Sequence, residues 1–216
     1  MRAGNMSYVN AADIPDTVAV FPLSGALLLP GGQMPLNIFE PRYLEMVDYA
    51  LATNRLIGMV QPSFDGKENG LCSVGCLGRI AAYGESGDGR YHITLAGVCR
   101  YRVVEELSVR TPWRQVSLTP FLSDLETPNG KDIDRDSLIK AFRSYLESNE
   151  LEADWESVNR ADNAMLVNAL SMMSPYGPAE KQALLEAVDL KTRAETLVAI
   201  TEIMLARNGD MGSTLQ

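Results

Sequence analysis

Read from the N-terminus, apolar residues come first in short blocks broken by turn residues, and only later at helical spacing. Val18–Leu23 predicts a strand; it is followed by the apolar run Leu27–Leu29, which Pro30-Gly31-Gly32 terminates. Leu36–Phe39 predicts a second extended piece. Glu40-Pro41 then opens a predicted helix, because proline at the first helical position lacks an N–H that the helix would not have used. Leu44, Val47 and Leu51 recur along it, with Tyr43 and Met46 beside them. Leu56–Val60 and Gly75–Tyr83 predict two further strands. Asp88-Gly89 has the composition of a tight hairpin turn, in which both central residues take positive φ. It leads into Tyr91–Ala96, where Tyr91, Ile93 and Leu95 alternate with His92, Thr94 and Ala96. A second turn is expected at Gly97-Val98, then a strand over Cys99–Leu107, and after Pro112 a last one over Trp113–Pro120. At least six short strands and one helix predict a small, closed or nearly closed β structure.

Ser123–Asp132 is a turn-rich connector, and beyond it no strand pattern competes with helix. Asp136–Glu147 places Leu138, Ile139, Phe142, Tyr145 and Leu146 on one face. Asp162–Met173 does the same with Met165, Leu166, Ala169, Leu170 and Met173. Gly177-Pro178 starts a third helical segment through Val188. Thr192 with Glu195 forms a T-x-x-E capping box that opens a last helix through about Arg207, leaving Gly209–Gln216 as a frayed tail. The expected class is therefore α+β: a β-rich barrel over residues 15–123, a connector over 124–133 and a helical bundle over 134–208. The chain shows no internal repeat.

Composition changes at the same place. Up to Ser123 there are 10 Lys+Arg against 11 Asp+Glu, with 13 Gly and 8 Pro; from Asp124 onward the numbers are 9 against 17, with 4 Gly and 3 Pro. Most of the net charge of −9 is thus expected on solvated helix surface. An acidic chain without a Lys/Arg run disfavours nucleic acid as a partner, since displacing phosphate counterions needs clustered cations. Thr17–Phe39 contains no charged residue, yet its prolines and glycines prevent one helix and a lone strand cannot satisfy its backbone in lipid, so no membrane span is expected. Met1–Asp16 lacks the apolar core of a secretory signal. Three cysteines and ten methionines fit a reducing compartment, so the expected localisation is cytoplasmic.

The chemistry-bearing residues are few. Neither a G-x-x-x-x-G-K-[ST] loop nor a properly placed G-x-G-x-x-G is present; Gly75-x-x-Gly78 stands at a strand start and reads as backbone punctuation. With one histidine, any Ser-His or Cys-His pair must use His92, which falls mid-strand. A Ser–Lys pair would have to draw on Lys67 in a loop, Lys131 in the connector, or Lys140, Lys181 and Lys191 on or beside helices. Cys72, Cys76, His92 and Cys99 form a Cys3His inventory suited to zinc. With a turn at Gly97-Val98, however, His92 and Cys99 stand roughly 13 Å apart along one face, too far for a shared ion. No catalytic residue, metal or cofactor is therefore assigned. Met165, Met172, Met173 and Met204 could form an adaptable peptide surface, with core filling the plainer reading. Arg100 and Arg102 read either as an anion patch or as a solvated strand face.

In order, Phe21-Pro22-Leu23, Leu29-Pro30-Gly31-Gly32 and Pro35-Leu36-x-Ile38-Phe39-Glu40-Pro41-Arg42-Tyr43 resemble the opening of the Lon N-terminal, or substrate-binding, domain family. Gly75-x-x-Gly78 with Ile80, Asp88-Gly89-Arg90, Leu95-x-Gly97-x-x-Arg100-Tyr101, Pro112-Trp113-Arg114-x-Val116 and Lys181–Glu186 with Asp189 and Arg193 continue the pattern over about residues 15–207. The resemblance implies a PUA-like pseudo-barrel followed by a helical bundle. It further implies a non-catalytic module that recognises unfolded or exposed protein segments, without the ATPase and protease domains of full-length Lon. Contacts are expected in a groove between barrel and bundle, using Tyr43, Trp113, Met172 and Met173. Two alternatives accompany this reading: an adaptor or oligomerisation partner of a separate Lon protease, including a homodimer, and a small-ligand or RNA-binding PUA-like domain. The Glu40-Pro41-Arg42-Tyr43 segment itself reads as a helix start, with Glu40 at the positive end of the dipole.

Overall fold

The computed structural model describes residues 1–64, 66, 69–127, 130–149 and 151–213, with side chains described as far as Arg207. Two compact units make up the chain: Met1–Thr127 together with Tyr176–Leu185, and Pro128–Pro175 together with Glu186–Gln216. Among the described residues no helix is long and apolar enough to cross a membrane.

The first unit is a β barrel. A two-residue pair, β1 (Arg2–Ala3) and β2 (Met6–Ser7), precedes β3 (Thr17–Pro22), β4 (Gln33–Ile38), the helix α1 (Pro41–Ala52), β5 (Leu56–Val60), β6 (Val74–Glu85), β7 (Tyr91–Glu106) and β8 (Arg114–Pro120). The sheet runs β4-β7-β6-β5-β3-β8, and β8 pairs back onto the second half of β7, so five strands close a ring while β4 lies outside it on the first half of β7. β3 and β5 are parallel and every other pairing is antiparallel. Pro35 sits in β4, an edge strand of this sheet, where a missing N–H on the open side breaks no ladder bond. Val18, Val20, Leu56, Leu77, Val98, Tyr101 and Val116 fill the ring.

Two expected turns differ. Gly97-Val98 does not turn at all: β7 is one strand of 16 residues, paired with β6 from Tyr91 to Arg102. Val98 is fully buried, and the glycine serves close approach instead. The N–H of Gly97 donates to Gly32 O (2.9 Å) and its carbonyl accepts from Gly31 N (3.0 Å), which holds the Leu27–Leu29 run against the strand. The uninterrupted strand separates His92 from Cys99 by seven residues, roughly 23 Å, further than the turn would have done. At the hairpin, Ser86 and Arg90 close a three-residue loop (Ser86 N to Arg90 O, 2.9 Å), in which Gly89 takes φ +82° and Asp88 does not take positive φ. The face of α1 also differs by one position: Tyr43, Met46, Val47 and Ala50 are buried, and Leu44 and Leu51 only half so.

The returning segment Tyr176–Leu185 belongs to this unit, and buried polar bonds hold it. The Gln61 amide donates to Pro178 O (2.9 Å) and Gln182 Oε1 (3.1 Å) and accepts from Gly25 N (2.8 Å), while Gln182 donates to Val74 O (3.1 Å). Arg100, expected as patch or solvated face, is neither. It is 3% exposed, donates to both carboxylate oxygens of Asp124 (2.8 Å each) and to Leu185 O (3.1 Å), and lies 5.0 Å from the Phe121 ring.

The second unit is helical: α2 (Arg135–Ser148), α3 (Trp155–Arg160), α4 (Asn163–Met173) and α6 (Leu190–Ser213), with α5 (Pro178–Glu186) placed almost wholly in the first unit. Aspartate caps four of these helix starts. Asp134 accepts from Ser137 N, Asp154 from Glu156 N and Ser157 N, Asp162 from Met165 N and Asp189 from Thr192 N, at 2.7–3.1 Å. Thr192 is therefore the capped residue of α6 and not its cap. α6 also continues to Ser213, beyond the end expected near Arg207; Thr214–Gln216 and Lys67 lie outside the described residues. α4 is apolar nearly all round, so pattern alone does not orient it. It buries Leu166, Val167, Leu170 and Ser171. Met165 and Met173 are left 63% and 81% exposed, which removes them from the core.

Cys72, Cys76 and Cys99 are all buried thiols, and burial, with the Asp124 charge added, pushes Cys99 up to about 12. Thiolate is the reactive form. Native protein at mild alkaline pH is therefore expected to resist a thiol reagent such as DTNB, and denatured protein to titrate three thiols. Rapid reaction of any cysteine in the native state contradicts this placement.

Candidate functional site

The first unit carries a cleft of about 700 Å³ lined by Pro22, Arg42, Tyr43, Pro62, Ser63, Asn69, Gly70, Glu106 and Arg114. Each wall follows from local structure. Pro41 starts α1 and presents Arg42 and Tyr43 from its first turn. Pro22 ends β3, and Arg114 begins β8. The loop after β5 folds back through a bridge between Pro62 and Leu71 and a bond from Ser63 N to Gly70 O (2.9 Å). Asn69 takes φ +63° there, a conformation that asparagine tolerates better than most residues.

Two arginines and a tyrosine give the cleft its character. The Arg42 guanidinium lies 4.6 Å above the Tyr43 ring, which stacks on Phe21 at 4.1 Å with 24° between the planes. Glu40 accepts from Arg42 Nε (3.0 Å) and not from the helix N–H groups, so its part at the helix start is to steer Arg42. Across the cleft, Arg114 donates to Glu106 from Nε (2.6 Å) and to Asn69 O from Nη2 (2.8 Å). The Arg114 bond holds the Glu106 carboxyl below the usual carboxylate range. Burial pushes the Tyr43 phenol upward, with Arg42 opposing, so it remains a protonated donor at neutral pH. Among the described lining residues Glu106 is the one carboxylate, and it is engaged by Arg114; among the described residues no cluster of three or more His, Cys, Asp or Glu could hold a metal. The chemistry available is hydrogen bonding, cation–π contact and apolar packing.

Of the sequence candidates, Tyr43 lines this cleft. Trp113 is buried in the same unit against Tyr49 of α1, at 5.5 Å, with its indole N–H lacking a partner. Met172 and Met173 lie on α4 in the other unit. Arg114, Glu106 and Asn69 also line the cleft, and pattern reading passes over them. The signal for the first two is cross-strand: β7 and β8 pair Glu106 with Val116, which brings a carboxylate and a guanidinium eight residues apart to one end of the sheet.

A family model described as the ATP-dependent protease La (LON) substrate-binding domain matches residues 17–202. Lon protease 2 of Myxococcus xanthus is 27% identical over 203 residues, covering 89% of this chain and 24% of that protein. Lon protease of Parabacteroides distasonis is 30% identical over 199 residues, covering 87% and 24%. The chain thus spans about a quarter of the length of these relatives. Two solved structures are similar in fold. A Lon N-terminal domain protein from Xanthomonas campestris has a TM-score of 0.63 at 23% identity, covering 85% of this chain and 97% of that one. The N-terminal domain of Mycobacterium avium complex Lon protease has a TM-score of 0.64 at 22% identity, covering 86% and 98%.

Proposed function

The chain belongs to the LON substrate-binding domain family, and from that membership we propose that it is a non-catalytic module that captures segments of other proteins in the cleft of its first unit. The matched family is the substrate-binding domain and not the protease domain. The observation that carries the reading is the stack of Arg42 on Tyr43 on Phe21, facing Arg114 across an open cleft. Arginine and tyrosine are the residues that most often anchor protein recognition, because each combines a flat contact face with directed donors. Pro22, Tyr43 and Pro62 supply the apolar floor for an extended segment. The Arg42 guanidinium supplies donors for its backbone carbonyls. Since the matched relatives are Lon proteases, the destination implied for a captured segment is an ATP-dependent protease.

Fluorescence anisotropy with a labelled, permanently unfolded polypeptide tests this reading. Arg42 is half exposed, and Ser63 belongs to the loop, so Arg42→Glu and Ser63→Trp change the cleft without opening the core. Each is expected to weaken binding about tenfold, equivalent to about 1.4 kcal/mol. Affinity unchanged by both variants rejects the cleft as the site. Recovery of a Lon-type protease with the tagged chain from cell extract addresses the partner.

A further inference from the structure

The second unit carries a groove of its own, lined by residues at the start of α2 and along α6, with a volume of about 360 Å³. Ile133, Ala194, Val198 and Ala199 give it an apolar floor. Its rim is acidic: Asp132 and Asp134 on the α2 side, Glu195 and Glu202 on the α6 side. Lys191 is the one cation among the described lining residues, and it already faces Glu195 at 3.9 Å. The arrangement follows from helical spacing, since residues 191, 195, 198, 199 and 202 fall on one stripe of α6. Asp134 is held ionised by the N–H and hydroxyl of Ser137. Four carboxylates thus surround an apolar trough against a single ammonium.

We propose that this groove docks a short cationic amphipathic segment of a partner protein, with apolar side chains on the floor and lysine or arginine against the rim. The charge selects the occupant. Phosphate backbones and anionic lipid surfaces are repelled by the rim, and a second copy of this chain would bring the same acidic face. An amphipathic helix laid in a groove buries its apolar stripe while its flanking charges set orientation and association rate. This site goes beyond the cleft of the first unit and does not depend on it.

The test is fluorescence anisotropy on the full chain with two synthetic helical peptides that share one apolar face, one carrying a Lys/Arg polar face and the other Glu. The cationic peptide is expected to bind about tenfold more tightly or better, and to weaken as salt screens the rim. Ala199 is exposed, so Ala199→Trp fills the trough without disturbing the fold or the charge, and is expected to lower affinity at least about tenfold. Glu195→Lys with Glu202→Lys is expected to do the same. Glu147→Lys, about 20 Å along α2 from Asp134, is expected to leave binding unchanged. Thermal melts confirm that each variant folds. Binding that survives Ala199→Trp, or that falls equally with Glu147→Lys, overturns the groove and leaves only general attraction to an acidic unit. Equal binding of the two peptides overturns it as well. Arg42→Glu leaves this binding unchanged if the two sites are separate, so failure of one proposal is distinguishable from failure of the other.

Discussion

Gly97→Ala is expected to destabilise the barrel strongly. A Cβ at that position would stand 2.0 Å from the carbonyl oxygen of Leu29 and 2.8 Å from its carbon, and backbone cannot swing aside as a flexible side chain does. The obstacle is anchored on both sides: Gly31 N and Gly32 O are bonded to Gly97 itself, and Leu27, Leu28 and Leu29 are at most 3% exposed. To admit the methyl, either β7 must leave β6 or the Leu27–Gly32 run must lift out of the core. Overpacking of this kind costs on the order of 3 kcal/mol or more. Urea denaturation followed by circular dichroism is the measurement, with Gly84→Ala as the control. Gly84 lies in β6 with open space, nothing within 4 Å, where an added methyl would stand, and it has no unusual φ, so alanine there is expected to be close to neutral. Equal midpoints for the two variants would contradict the close approach.

The second large effect concerns the buried pair of Arg100 and Asp124. The guanidinium and carboxylate side chains are 4% and 11% exposed, and together they bridge β7, the short 3-10 turn Leu122–Leu125 and, through Leu185 O, the returning segment. Removing one charge strands the other in a low-dielectric interior. Arg100→Met and Asp124→Asn are therefore each expected to cost about 3–5 kcal/mol. Asparagine retains an oxygen for the Arg100 backbone N–H, which now donates to Asp124 at 2.9 Å, so the single variant reports the charge and not an orphaned amide. The double variant leaves neither charge buried and should lose less than the sum of the singles by roughly 2 kcal/mol. Additivity within about 0.5 kcal/mol would show that the two side chains act independently.

These two positions also show where pattern reading stops. Leu56–Val60 was legible to the residue, because a five-residue apolar run between polar neighbours admits few other solutions. The Pro41 helix start and the hairpin near Asp88-Gly89 were legible for similarly local reasons. Gly97 was not. A glycine flanked by two apolar runs reads as a turn, and its actual use depends on a carbonyl 68 residues earlier in the chain. The face of α4 was illegible because a helix apolar on nearly every side carries little contrast. Tyr43, expected as a contact residue from the sequence, is among the residues that line the cleft. Arg114 and Glu106 were missed because their pairing needs the β7–β8 register, and Asn69 because its contribution is a carbonyl, which every residue has.

Sequence alone determined the α+β class, the order of strand-rich and helix-rich regions and, through the ordered Phe21–Tyr43 and Leu95–Tyr101 motifs, the family. All three depend on spacing between near neighbours, which the side chains themselves impose. Tertiary structure alone decided that β7 is unbroken and closes the ring with β8, that Tyr176–Leu185 returns to the barrel unit, and that Arg100 is a buried tie. It also set the cleft, whose walls come from four separate stretches of chain. The physical reason is the same in each case. A glycine without a Cβ, an arginine with five donors or a glutamine amide can serve several partners, and only the packing of distant segments selects one.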